Sequence, residues 1–187
     1  MAIADYGLKP SPRVSDKSEI RNPKSEMAWV ALGSNLGDSR QIILAAMAGL
    51  ECLSRLPIHK SSLWQTTPVD CPPNSAKFVN AIVGLVPGAG ETPETVLEKL
   101  RELEKKFGRQ PKKEFNEPRP LDLDLIAFGN EVRNSPELTL PHPRAHQRRF
   151  VLQPLSELAP ELILPGQTKK ISQLLAELPT GEAVTRI

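Results

Sequence analysis

No run of about twenty apolar residues occurs in this chain of 187 residues, so nothing in it reads as a membrane span. Cysteine is scarce. Cys52 and Cys71 stand in neither CxxC nor metal-ligand spacing, and no secretory signal precedes them, which points to a reducing cytoplasm and two free thiols. Aromatic residues make up only 4% of the chain and the formal net charge is +2, so neither a broad nucleic-acid surface nor a membrane patch is indicated. Three motifs are also missing: GxxxxGK[ST], GxGxxG and HExxH. Their absence removes a Walker-type nucleotide site, a dinucleotide fold and a zincin. No internal repeat is visible. What remains is a largely aliphatic chain, long enough for one full core and short for two.

Residues 1–26 hold three prolines, several serines and charges of both signs without apolar periodicity, and are expected to form a disordered arm. Residues 27–187 are expected to form a single domain. Met27 to Leu32 reads as a buried strand, left by the turn Gly33-Ser34-Asn35-Leu36-Gly37-Asp38. Asp38 is a good N-cap for a helix marked by Ile43, Met47, Leu50 and Leu53 and closed by Pro57. Ile58 to Thr66 reads as a second strand running into a proline-rich loop, and Lys77 to Val86 as a third. Phe78, Asn80 and Ile82 share one face of that third strand. A half-buried Asn80 needs partners, either a loop backbone or a ligand beside Phe78. Thr92-Pro93 opens a helix with Val96, Leu100, Leu103 and Phe107 on its buried stripe and Gly108 at its end. A basic, irregular loop then enters the strand from Leu121 to Phe128. An extended excursion from Glu131 to Leu140 follows, then a helix from about Gln147 to Leu158 and a last one including Ile171 to Leu178. The order strand, helix, strand, strand, helix, strand is that of an α+β, ferredoxin-like βαββαβ antiparallel sheet, here with a mostly helical C-terminal extension.

In Leu121-Asp122-Leu123-Asp124-Leu125, the period of two puts both aspartates on one face of a strand and the leucines on the other. Their α-carbons are then roughly 6.5–7 Å apart. The pair is either the charged face of an edge strand or a holder of hard cations, magnesium being the natural guest. Ile126 and Phe128 are expected to continue the aspartate face as apolar residues, which confines the open part to its first half. Around the pair the sequence clusters Arg109 and Arg119 upstream and His142, Arg144, Arg148 and Arg149 downstream. Such a set is either a solvated surface with local ion pairs or a cradle for metal-bound polyphosphate, to whose oxygens guanidinium forks are matched. His142 and His146 lie four apart among prolines without a thiol nearby, a poor zinc pattern.

Ala31-Leu32-Gly33-Ser34-Asn35-Leu36-Gly37-Asp38, Phe78-Val79-Asn80, Glu104 with Gly108-Arg109, Pro118-Arg119-Pro120-Leu121-Asp122-Leu123-Asp124 and Pro141-His142-Pro143-Arg144 to Arg148-Arg149-Phe150 together resemble the 6-hydroxymethyl-7,8-dihydropterin pyrophosphokinases of folate biosynthesis. The resemblance runs in order from Met27 to about Pro165. It implies transfer of pyrophosphate from ATP to the pterin hydroxymethyl oxygen, giving AMP. It also implies two Mg2+ ions on Asp122 and Asp124, with Asp124 on the side of the substrate hydroxyl. Arg109 and Arg119 would act in catalysis, and together with His142 and Arg148 would contact ATP. Phe78 and Phe150 would stack on the pterin, Asn80 would read its edge, and Thr66 and Val69 would line its pocket. The residues from about Gly108 to Pro118 would form a lid. Pro111, Asn116 and Glu117 depart from the pattern, standing where relatives carry an arginine, often an aromatic, and glycine or alanine. A cytoplasmic monomer that binds neither nucleic acid nor membrane is expected. The alternatives are a ferredoxin-like nucleic-acid module, for which Phe78 alone makes a thin stacking surface, and a catalytically inactive relative.

Overall fold

The computed structural model describes residues 26–67, 76–110, 117–181 and 183–187. The expected arm, apart from Glu26, therefore lies outside the described residues, as do Val69, Cys71, Pro111 and Asn116. In chain order the elements are β1 (Ala28–Ser34), α1 (Ser39–Glu51), β2 (His59–Lys60), β3 (Trp64–Thr66), β4 (Phe78–Leu85), α2 (Pro93–Lys106), β5 (Asp122–Phe128), β6 (Arg133–Asn134), β7 (Thr139–Leu140), α3 (Arg149–Leu158), α4 (Ile171–Glu177) and β8 (Val184–Arg186).

The main sheet is antiparallel, in the order β5-β1-β4-β3-β8, with β2 also paired to β4. With β2 and β3 as two halves of one strand, this is the ferredoxin-like arrangement. Alternation along the central strands feeds two cores. Ala28, Val30 and Leu32 of β1 join Val79, Ala81, Val83 and Leu85 of β4 on one face, under Ile43, Met47 and Leu50 of α1 and Val96 and Leu100 of α2. On the other face, Trp29, Ile82 and Ile126 lie under Val151, Leu152 and Leu155 of α3 and Ile171 and Leu174 of α4. Each fully buried leucine or isoleucine contributes about 1.5–3 kcal/mol over an exposed one. The C-terminal helices of the expected extension thus cover part of the second face. Asp122 and Asp124 keep 26% and 42% of their side-chain surface exposed on that face.

Local signals set the helix ends. Asp38 Oδ1 accepts the Gln41 N–H at 3.1 Å, and Thr92 and Thr95 cap each other's backbone N–H groups at the start of α2. Gly108, at φ 85°, leaves α2 through the left-handed region that its lack of a Cβ permits.

Several expectations need correction, most of them because of non-local pairing. The first helix stops at Glu51, well before Pro57, and the chain is then taken up by the end of β4. There Ser54 Oγ accepts the Val86 N–H at 3.1 Å and the Arg55 N–H donates to the Val86 carbonyl at 2.9 Å. The expected strand from Ile58 to Thr66 is broken into β2 and β3, because Ser61 Oγ rather than a carbonyl takes the Ile82 N–H. In β5 the pairing with β1 slips between Trp29 and Val30, so that Ile126 has no partner opposite. This bulge sends Ile126 and Ala127 to the second core and turns Phe128 against the first, so Phe128 does not continue the aspartate face. The helix expected from Gln147 begins at Arg149, after a single 3-10 turn over Ala145–Gln147. Strand β8 was not foreseen. Cys52 is exposed and free. No helix among the described residues is long and apolar enough to cross a membrane.

Candidate active site

Strand register assembles the floor of the site. Gly33 of β1 lies between Asn80 of β4 and Asp122 of β5, and in the next row Ala31 lies between Ile82 and Asp124. Directly opposed residues share a face, so an amide and two carboxylates look out together. Asn80 and Thr66 are buried, and Asn80 Nδ2 donates to Thr66 Oγ1 at 2.8 Å. The amide is thereby fixed, with its oxygen left toward the Gly33 row. Phe78, two residues before Asn80 and on the same face, is half-buried.

The carboxylates are already engaged by the expected cations. Arg109 Nη1 lies 2.6 Å from Asp122 Oδ1, and Arg119 Nη1 3.2 Å from Asp122 Oδ2. Arg148 Nη1 is 4.0 Å from Asp124 Oδ2, and its guanidinium carbon sits 5.4 Å from the centre of the Phe150 ring. Arg119 is held by its backbone: its N–H donates to Asn35 Oδ1 at 2.9 Å and its carbonyl accepts the Asn35 N–H at 3.2 Å. His142 reaches the site because its N–H donates to the Ile126 carbonyl at 2.8 Å, where the bulge interrupts the pairing of β5.

Burial, and then the charge of Asp122, raise the Asp124 carboxyl above its ordinary range. Burial likewise lowers His142, against the pull of Asp124. Glu104, whose place in the sequence pattern indicates no role, has one in the structure. It is buried on α2, its Oε1 accepts the Leu123 N–H at 2.7 Å, and it pairs with Arg109. Burial pushes its carboxyl up to about 7, with the Leu123 N–H and Arg109 opposing the rise. The available signal was a charge four residues after Leu100, on the helix's apolar stripe.

The structure thus brings together Thr66, Phe78, Asn80, Arg109, Arg119, Asp122, Asp124, His142, Arg148 and Phe150 on or beside one face, while Val69 lies outside the described residues. Arg149 turns away. Its Nη2 donates to the carbonyls of Leu178 at 2.9 Å and Pro179 at 3.3 Å, closing the end of α4. Arg144 is exposed, and His146 meets Gln147 at 3.1 Å. No group of three or more His, Cys, Asp or Glu poised for a metal exists among the described residues.

The family model for 7,8-dihydro-6-hydroxymethylpterin-pyrophosphokinase matches residues 29–160, a span that holds every one of these site residues. The chain belongs to this family. A pyrophosphokinase of Pseudomonas aeruginosa is 36% identical over 158 residues, covering 82% of this chain and 93% of the relative. One from Synechocystis is 34% identical over 151 residues, or 81% of this chain and 75% of the relative. Both carry the name 2-amino-4-hydroxy-6-hydroxymethyldihydropteridine pyrophosphokinase. Among solved structures, a Plasmodium falciparum HPPK-DHPS chain superposes over 81% of this chain and 43% of its own length, with a TM-score of 0.62 at 14% identity. That likeness bears on the fold, and it agrees with the ferredoxin-like order of this pterin pyrophosphokinase family member.

Proposed function

We infer that the chain transfers the β,γ-pyrophosphoryl group of ATP to the hydroxymethyl oxygen of 6-hydroxymethyl-7,8-dihydropterin, in folate biosynthesis. The observation that carries the reading is the floor itself, a hydrogen-bonded pair, Asn80 with Thr66, separated by the single strand β1 from two carboxylates on the same face. In the reaction the hydroxymethyl oxygen bonds to the β-phosphorus, the bond from that phosphorus to the α,β-bridging oxygen breaks, AMP leaves, and the hydroxyl proton passes to a base. Asp124, the carboxylate that the resemblance sets on the side of the substrate hydroxyl, is the acceptor we assign.

The donor set fits magnesium. This ion is usually bound through one or two carboxylates plus substrate phosphates rather than by a protein cage, and two aspartates without a third ligating side chain grouped with them among the described residues match that habit. Asp122 and Asp124 would hold the two ions, which would neutralise phosphate charge and draw the substrate hydroxyl toward the β-phosphorus. Arg109 and Arg119 each have five N–H donors, enough to keep Asp122 oriented and still meet phosphate oxygens. His142 and Arg148 complete that side. Phe78 and Phe150 offer ring faces to a flat heteroaromatic, and the Asn80 oxygen accepts from its N–H edge. Val69 is assigned to the same pocket by the resemblance. A monomer suffices, since all of these groups lie on one chain.

The test is AMP release from ATP at fixed magnesium, with and without the pterin. Release that requires the pterin supports the assignment. Release that ignores the pterin, or none at all, overturns it and leaves an ATP hydrolase or an inactive relative.

A further inference from the structure

Two glycines interrupt the central strands on the face that carries the site, and the packing of the protein explains only one of them. A Cβ on Gly84 would stand 2.7 Å from Trp29 Cζ3 and 2.9 Å from Met27 Sδ, so the indole already fills that space. Gly33 is different. A Cβ there would meet Asn80 Oδ1 at 3.4 Å and Asp122 Cβ at 3.9 Å, with no other contact within 4 Å. Its backbone is not among the positive-φ glycines either, so the conformation is open to any residue. A glycine inside a strand weakens it by roughly 0.5–1 kcal/mol relative to alanine. Neither backbone nor neighbours require that weakness at Gly33. A strand glycine of this kind marks a place where something else approaches the backbone closely.

The register says what approaches. Gly33 occupies the one position between the amide of Asn80 and the carboxylate of Asp122, and the Asn80 oxygen is directed toward it. We propose that Gly33 is a specificity-determining residue, its missing side chain leaving the passage through which a flat pterin, held at its edge by Asn80, brings its hydroxymethyl group to the carboxylate pair. The proposal rests on the function inferred above. A methyl group at this point crowds the Asn80 acceptor and lifts the ring from the sheet. ATP, carried by the arginine and carboxylate side, meets it less.

The experiment compares wild type with Gly33→Ala and Gly33→Val. Pterin binding is titrated with magnesium and α,β-methylene-ATP present, binding of that nucleotide is titrated separately, and the melting temperature is recorded for each protein. Gly33→Ala is expected to melt at or up to about 4 °C above wild type, because the added atom makes only ordinary contacts and alanine removes the glycine penalty. Its pterin affinity is expected to fall at least about tenfold, with nucleotide affinity within about twofold, and Gly33→Val is expected to bind pterin more weakly still. Pterin affinity of Gly33→Ala within twofold of wild type overturns the proposal. Equal losses for pterin and nucleotide, or a collapse of the fold in Gly33→Ala, also overturn it. If wild type itself fails to bind the pterin, the function falls and the proposal with it; normal wild-type binding with an unaffected Gly33→Ala removes the proposal alone.

Discussion

Burying a carboxylate on the apolar stripe of a helix is unfavourable unless donors reach it, and at Glu104 the Leu123 N–H and the Arg109 guanidinium both do. Glu104 titrates at about 7 in the fold against an ordinary 4.5, so between those values the folded chain holds more protons than the unfolded one. Its contribution to stability is therefore fully present below about 4.5 and is lost as pH rises through about 7. Glu104→Gln keeps an acceptor for Leu123 and cannot ionise. Its melting temperature is expected to fall less than that of wild type between pH 5 and 7, roughly the window of that titration, and parallel curves would refute the assignment. The aspartates differ in that part of each side chain stays exposed on the face of the site. Asp124→Ala is expected to lower turnover by about a thousandfold or more, the scale of losing a metal-bound charge, while relieving its repulsion with Asp122 and leaving the melting temperature unchanged or slightly higher. Asp122→Ala is expected to lose as much activity and also some stability, since it leaves Arg109 and Arg119 facing each other. Near-normal turnover in both would refute the metal assignment. Phe150→Ala removes the ring face assigned above to pterin stacking, a contact worth about 0.5–1.5 kcal/mol, so pterin affinity should fall up to about tenfold while nucleotide affinity holds; equal losses would count against stacking.

Between α3, which carries Phe150, and the segment leading through β3, which carries Thr66, a carboxylate makes the hydrogen bonds. Glu157 accepts from the Ser62 N–H at 2.9 Å, the Ser62 hydroxyl at 2.6 Å and the Trp64 indole at 3.3 Å, and lies 3.7 Å from Arg186 of β8. Burial would raise this carboxyl, but the Ser62 and Trp64 donors outweigh it and hold it below its ordinary value. Stability from Glu157 is therefore present above the ordinary carboxylate pKa and is lost as pH falls through the lowered one. Glu157→Ala leaves these donors to water and is expected to cost about 0.5–1.5 kcal/mol, read by urea unfolding near neutral pH, with the deficit shrinking in acid. A constant deficit across pH would contradict the ionised contact. This clamp was not legible in the sequence. Val184-Thr185-Arg186 is too short to declare itself a strand, and it forms one only because β3 offers an open edge. The helices that were legible, α1 at its start and α2 at both ends, are those whose caps lie within four residues of the elements they close.

For the whole molecule, the legible and illegible parts divide by range. Alternation alone placed Asp122 and Asp124 on one face. The slip at Ile126, which turns Phe128 inward and leaves a carbonyl for His142, depends on how β5 registers against β1, about a hundred residues away. The Asn35 grip on Arg119 spans a similar distance and also needs the folded sheet. Both cores are apolar and neither includes the carboxylate pair, so folding and cation binding are separable. Asp122 already holds two guanidinium groups, and the described residues offer no third ligand, so magnesium by itself finds little to bind. On the proposed function, a triphosphate would have to supply the remaining oxygens. Millimolar magnesium alone is therefore expected to leave the melting temperature unchanged, ATP with EDTA to move it little, and magnesium with ATP to raise it by several degrees, since a ligand at about a hundred times its Kd adds roughly 2.7 kcal/mol. A shift with magnesium alone equal to that with both would mean that the protein builds a complete cation site of its own.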